Sequence, residues 1–164
     1  MKIRLGFVTN SSSTTHIMMW KGDKDKLRDL LEAHRKRFDL SYVDCMDEKR
    51  QVTSDQVAEA ILSKLDTTET AKDYAAGKRA QAERNQEYIQ EDPEHNQWLQ
   101  GYSKGFEDLA RRADMFDWVL QVGFGDNDGD FEGTDLGYVM DYEGRRIRIV
   151  DAERGFYYST EQNR

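Results

Sequence analysis

Two stretches of this 164-residue chain carry side chains whose types and spacing could do chemistry. In the first, Asn10, Ser11, Ser12, Ser13, Thr14 and Thr15 run into His16. Successive hydroxyls and backbone amides can wrap an anion, and Lys2, Arg4 or Lys21 could add positive charge, so these six residues form a candidate phosphate site. Neither the Gly-x-x-x-x-Gly-Lys-Ser/Thr nor the Gly-x-Gly-x-x-Gly pattern is present to make a nucleotide site specific. Two structural readings compete: the hydroxyls satisfy buried backbone groups and pin a strand, or the loop is simply solvated.

The second stretch is Asp126-Asn127-Asp128-Gly129-Asp130-Phe131-Glu132. Carboxylates two residues apart suit a hard cation, which makes Asp126, Asp128, Asp130 and Glu132 a candidate divalent-cation site, with Asp135 as a further donor. The full calcium-loop pattern fails, because Phe131 takes the turn-glycine position and Gly137 stands where a bidentate glutamate belongs. An acidic turn between strands explains the same residues without a metal. His16, His34 and His95 show no metal-ligand spacing, and a triad of Ser13, His16 and Asp126 or Asp128 would need a proximity that spacing does not supply. Arg145, Arg146, Arg148 and Arg154 lie near Phe156, Tyr157 and Tyr158, an arrangement that can stack single-stranded nucleic acid. Asp141, Glu143, Asp151 and Glu153 cancel much of that field, so nucleic acid is not the expected partner.

The opening segment, Lys2-Ile3-Arg4-Leu5-Gly6-Phe7-Val8-Thr9-Asn10-Ser11-Ser12-Ser13, resembles the start of many uncharacterised phage and bacterial proteins: basic-Ile-Arg-x-Gly-Phe-Val-Ser-Asn, a serine run, then an aromatic. The likeness covers about the first 17 residues, and this chain departs from it with Thr9 for serine and with Thr14, Thr15 and His16 at the end of the run. It implies a phage or bacterial origin and no particular activity.

Composition narrows the classes. A net charge of -8 repels nucleic acid and anionic membranes, which leaves proteins as the expected partners. The single cysteine, Cys45, excludes an intramolecular disulfide framework and fits a reducing compartment. No stretch reaches the roughly 20 apolar residues of a membrane span, and no signal-peptide core precedes the polar loop. The expected location is the cytoplasm of a bacterial host cell, or a phage particle.

The elements that would position these groups follow from periodicity. Residues 2–8 alternate as a strand, with residues 16–21 as its hairpin partner. Leu27, Leu30, Leu31, His34 and Phe38 predict one amphipathic helix over residues 23–38. Residues 40–45 are ambiguous between loop and strand. Thr53-x-x-Gln56 is a capping box opening a helix whose face is Val57, Ile61 and Leu65. Residues 67–92 form an Ala-rich helix with a shallow stripe of Ala71, Tyr74, Ala75, Ala82 and Ile89. Asp92-Pro93 opens the next helix, with Trp98, Tyr102, Phe106, Leu109, Ala113 and Phe116 on one face; Gly101 and Gly105 are expected to pack closely on the Ala-rich helix. Strands are expected at Trp118 to Phe124, and at residues 137–142 turning through Glu143-Gly144 into 145–150. Residues 155–159 would add an edge strand.

The predicted fold is therefore α+β, a single domain over 1–164. An antiparallel or mixed sheet comes from the N- and C-terminal strands, with about four helices between, including a long antiparallel helical hairpin at about 67–115. The expected function is non-enzymatic: binding another protein, such as a host factor, through Tyr74, Tyr88, Trp98 and Tyr102 or through Phe156 and Tyr157. A structural role in a phage particle is one alternative, and a phosphate- or nucleotide-binding enzyme using the Ser/Thr loop is another. A homo-oligomer is compatible with each, and no cofactor is predicted beyond the candidate cation.

Overall fold

The computed structural model describes residues 14–38, 42–45, 48–51, 53–124, 139–140 and 146–162. The expected strand at 2–8, the loop residues Asn10 to Ser13, and the acidic residues Asp126, Asp128, Asp130 and Glu132 lie outside the described residues. The fold is α+β, and the chain divides into two compact units: unit 1 joins residues 1–68 to 120–164, and unit 2 is 69–119.

In unit 1, β1 (Thr14–Trp20) pairs antiparallel with β8 (Phe156–Gln162), placing Met18 opposite Tyr158 and Trp20 opposite Phe156. β7 (Arg148–Asp151) pairs antiparallel with the other edge of β8. β5 (Trp118–Phe124) neighbours β1, so the strand order is β5-β1-β8-β7. β8 is thus an interior strand rather than the edge expected at 155–159. A smaller sheet joins β2 (Tyr42–Cys45) to β3 (Glu48–Gln51) on one side and β6 (Val139–Met140) on the other. β6 pairs with β2 and β7 with β8, while the turn at 143–144 through which 137–142 is expected to pair with 145–150 lies outside the described residues.

Every side chain from Thr15 to Trp20 is buried, so β1 is covered on both faces. Side chains alternate along a strand, which puts His16, Met18 and Trp20 on one face with Phe156, Tyr158 and Thr160. On that face Phe38 meets Tyr158 edge-on, with ring centroids 5.3 Å apart, and His34 stacks on Phe156 at 5.6 Å. Leu27, Leu30 and Leu31 are buried, and they lie on α1 (Leu27–Ala33).

The single helix expected over 23–38 is instead three pieces, with 3-10 turns at Lys24–Lys26 and Arg35–Arg37 flanking α1. At the break His34 leaves helical geometry, with φ -109 and ψ 17. Histidine has little helical preference of its own, and contacts made far along the chain by His34 and Phe38 outweigh it. The following helix, α2 (Ser54–Leu62), starts as its sequence dictates: Thr53 Oγ1 accepts from Gln56 N at 3.1 Å and Gln56 Oε1 accepts from Thr53 N at 2.9 Å. Such a cap stabilises by about 1 kcal/mol. Val57 and Ile61 are its buried stripe, while Leu65 falls in a separate 3-10 turn and is half-buried.

Unit 2 opens with β4 (Glu69–Thr70), paired antiparallel with Trp118 and Val119. Thr70 Oγ1 then caps α3 (Ala71–Glu91) by accepting from Asp73 N at 3.1 Å. A short α4 (Pro93–Asn96) separates α3 from α5 (Leu99–Ala113). The contacts between α3 and α5 run in opposite directions along the two helices. Arg79 grips the Asp114 carboxylate, Ser103 Oγ donates to Ala82 O at 3.3 Å, and Gln86 Nε2 donates to Gln100 Oε1 at 3.3 Å.

The seam has the four-three spacing of a coiled coil. On α3 it is Ala71, Ala75, Lys78, Ala82, Asn85 and Ile89; on α5 it is Leu99, Ser103, Phe106, Ala110 and Ala113. Alanine and serine hold its buried positions. Lys78 lies along it with its ammonium 5.2 Å from the ring centroids of both Tyr74 and Phe106, a cation over two aromatic faces. Gly101 and Gly105 are exposed and open, with nothing within 4 Å of where a Cβ would stand, so the close packing expected of them falls to Ala82, Ser103 and Ala110 instead.

Candidate interaction surface

Seating α5 on its small residues turns its larger ones outward. The stripe expected from Trp98 through Phe116 is rotated by about one position, and the seam runs through Leu99 and Ser103 rather than Trp98 and Tyr102. Trp98 is left 63% exposed, Tyr102 43% and Tyr88 45%. Trp98 and Tyr102 meet edge-to-face, with centroids 5.7 Å apart and planes at 89°, the geometry aromatic quadrupoles favour. Tyr88 belongs to the last turn of α3, Trp98 directly precedes α5, and so all three stand at the same end of unit 2.

The backbone beneath them is held by several hydrogen bonds. Tyr88 O accepts from Asp92 N at 3.1 Å and from Asn96 Nδ2 at 2.8 Å. Asp92 Oδ1 caps α4 by accepting from His95 N at 3.3 Å, Pro93 occupies the first helical turn, and the His95 ring lies 3.0 Å from the Asp92 carboxylate. A turn fixed in this way presents its aromatic groups at a low further cost in conformational entropy.

Charge is distributed unevenly over unit 2. Residues 85–103 contain Glu87, Glu91, Asp92 and Glu94 and no lysine or arginine, whereas the rest of unit 2 carries seven acids and seven bases. All four acids are exposed. This asymmetry is legible in the sequence once the span of the turn is known.

The other candidate residues fall elsewhere. Tyr74 is buried in unit 2, and Phe156 and Tyr157 are buried on β8, where Tyr157 faces the Arg148 guanidinium at 5.7 Å. All three are interior side chains rather than surface ones. Thr14 belongs to β1, and Thr15 is buried in the same strand. Among the described residues no three His, Cys, Asp or Glu side chains converge as a metal site, and no helix is long and apolar enough to cross a membrane.

Unit 1 contains a pairing that spacing did not reveal. His34 Nε2 lies 2.7 Å from Asp151 Oδ2, and Asp151 also accepts from Arg154 N and from Arg154 Nη1, each at 3.0 Å. These bonds, led by the Arg154 amide, hold the Asp151 carboxyl down at about 2. A carboxylate orienting an imidazole is a unit from which general-base chemistry is built, but that chemistry also needs a nucleophile and a cleft. The recess between α1 and α2, lined by Leu31, Phe38, Ser54, Val57 and Ala58, measures about 10 Å³, and neither His34 nor Asp151 lines it. The pair fastens the end of α1 to the β7–β8 turn. A second buried pair, His16 Nδ1 and Tyr158 OH at 2.6 Å, lies within the sheet.

No protein-family model, curated protein or solved structure matches this chain.

Proposed function

We propose that the protein acts by binding another protein, using the α3–α5 turn of unit 2 as its contact surface. The observation that carries this reading is the exposure of Trp98 at 63%, edge-on to Tyr102 and at the same end as Tyr88, on a backbone already fixed by hydrogen bonds. Tryptophan and tyrosine are the residue types that most often dominate binding energy at interfaces, because each brings a large rigid area at low entropic cost. The likeness of residues 2–13 to phage and bacterial openings gives the reading a setting in which the partner is a host factor in the bacterial cytoplasm.

Affinity purification of the full chain, wild type against Trp98→Ala/Tyr102→Ala, tests it. Both side chains are solvent-facing, so the double variant should keep its helicity and lose only about 0.5 kcal/mol of stability per site, while a partner retained by the wild type is lost. Retention of the same partners by the folded variant would remove the turn from the function.

A further inference from the structure

We infer that the surface this turn engages is a cationic one, an arginine- or lysine-bearing face of a different protein; the inference rests on the protein-binding reading above. Three features converge on it. Glu87, Glu91, Asp92 and Glu94 belong to the same α3–α5 turn segment as the exposed aromatics and are themselves exposed, so the turn is both aromatic and anionic. From Asn85 to Ser103 no lysine or arginine offsets them, while the remainder of unit 2 is balanced in charge; the whole net charge of the unit is concentrated where Trp98 stands. The groups available there also act together on one type of partner side chain. A guanidinium can lie over the face of Trp98, Tyr102 or Tyr88 and donate to a neighbouring carboxylate. An anionic partner, nucleic acid included, would be repelled by the same charges.

A photo-crosslinking amino acid, p-benzoylphenylalanine, placed at position 98 of the full chain and expressed in the cells the gene comes from tests both levels. The same probe at Ala80, an exposed position on α3, is the control. The expected result is a crosslink from position 98 to a lysine- or arginine-rich surface of another protein. Its yield should fall at least about fivefold when Glu87→Gln, Glu91→Gln and Glu94→Gln are combined, a set that leaves the Asp92 cap intact. It should fall likewise when salt is raised from about 0.1 M to about 1 M, which shortens the screening length from about 10 Å to about 3 Å. A crosslink to a surface with no excess of cations, a yield indifferent to salt and neutralisation, or a covalent dimer of this chain would overturn the inference. The first two of these leave the turn as a contact surface for another protein. No crosslink above the Ala80 level would remove the protein-binding reading and the inference with it.

Discussion

His34 and Asp151, 117 positions apart in sequence, meet at 2.7 Å where α1 ends and the β7–β8 turn begins. The same carboxylate accepts from both the amide and the guanidinium of Arg154, so one side chain closes its own turn and anchors a distant helix end.

Replacing Asp151 by alanine should therefore destabilise unit 1 by about 1–3 kcal/mol, the usual effect of removing an acceptor that several donors share. The dependence on pH has a definite sign. Because the folded-state carboxyl is held at about 2, below its unfolded value of about 3.9, its contribution is fully present above about pH 4 and is lost as pH falls toward about 2. Urea unfolding at a series of acid pH values should show a steeper loss of stability for the wild type than for Asp151→Asn across that interval. Parallel curves would mean that the carboxylate is not held by these bonds.

Tyr158 is fully buried with its hydroxyl on His16 Nδ1. Tyr158→Phe preserves the ring but removes the buried hydroxyl that bonds the imidazole, at an expected cost of about 0.5–1.5 kcal/mol. Burial pushes the Tyr158 hydroxyl well above the ordinary phenol range. Folded wild type and folded Tyr158→Phe should then give the same phenolate absorbance at about pH 11; a lower signal in the variant would show that Tyr158 ionises in the folded state.

Glycine positions should respond in opposite directions. Gly101 and Gly105 are helical and meet nothing within 4 Å of a built Cβ, so alanine at either should stabilise by about 0.5–1 kcal/mol. Gly155 sits at φ +63, and a Cβ there would stand 3.1 Å from the Lys21 Cβ. Gly155→Ala should cost about 1–2 kcal/mol from the left-handed backbone alone. Thermal unfolding of the three single variants distinguishes the two groups, and equal shifts would contradict the assignment.

Ala82 is buried on the α3 seam, and its carbonyl accepts from Ser103 Oγ. Ala82→Leu should push α5 away and cost about 1–3 kcal/mol by overpacking. The same change at exposed Ala80 should be nearly neutral. Chemical denaturation of the two variants checks the difference.

Features set by neighbours in sequence could be read directly. The Thr53 and Gln56 capping box and the Asp92 cap each depend on residues three apart, and both caps occur where the pattern puts them, although Asp92-Pro93 opens the short α4 and not the helix that carries Tyr102 and Phe106. What escaped depends on distant partners. The break at His34 follows from Asp151 and Phe156, and β6 found β2 through residues whose local pattern was ambiguous. Apolar periodicity on α5 groups the largest side chains on one face. Packing selected the smallest, because Ser103, Ala110 and Ala113 admit a closer neighbour. Trp98 and Tyr102 are therefore exposed although apolar periodicity groups them on one face with Phe106 and Ala113. The pattern at 155–159 predicts an edge strand that would leave Phe156 and Tyr157 at the surface, whereas β8 runs between two other strands.

That interior place of β8 bears on how the molecule is made. Residues 14–20 leave the ribosome well before residues 156–162 have been synthesised, and until then β1 lacks the neighbour against which it is registered. The contacts between α3 and α5 close over far shorter stretches of chain, and local contacts form faster than distant ones. Unit 2 can thus be complete during translation while the apolar run Ile17-Met18-Met19-Trp20 still awaits β8, which makes that run the segment a chaperone or an aggregating neighbour would meet first.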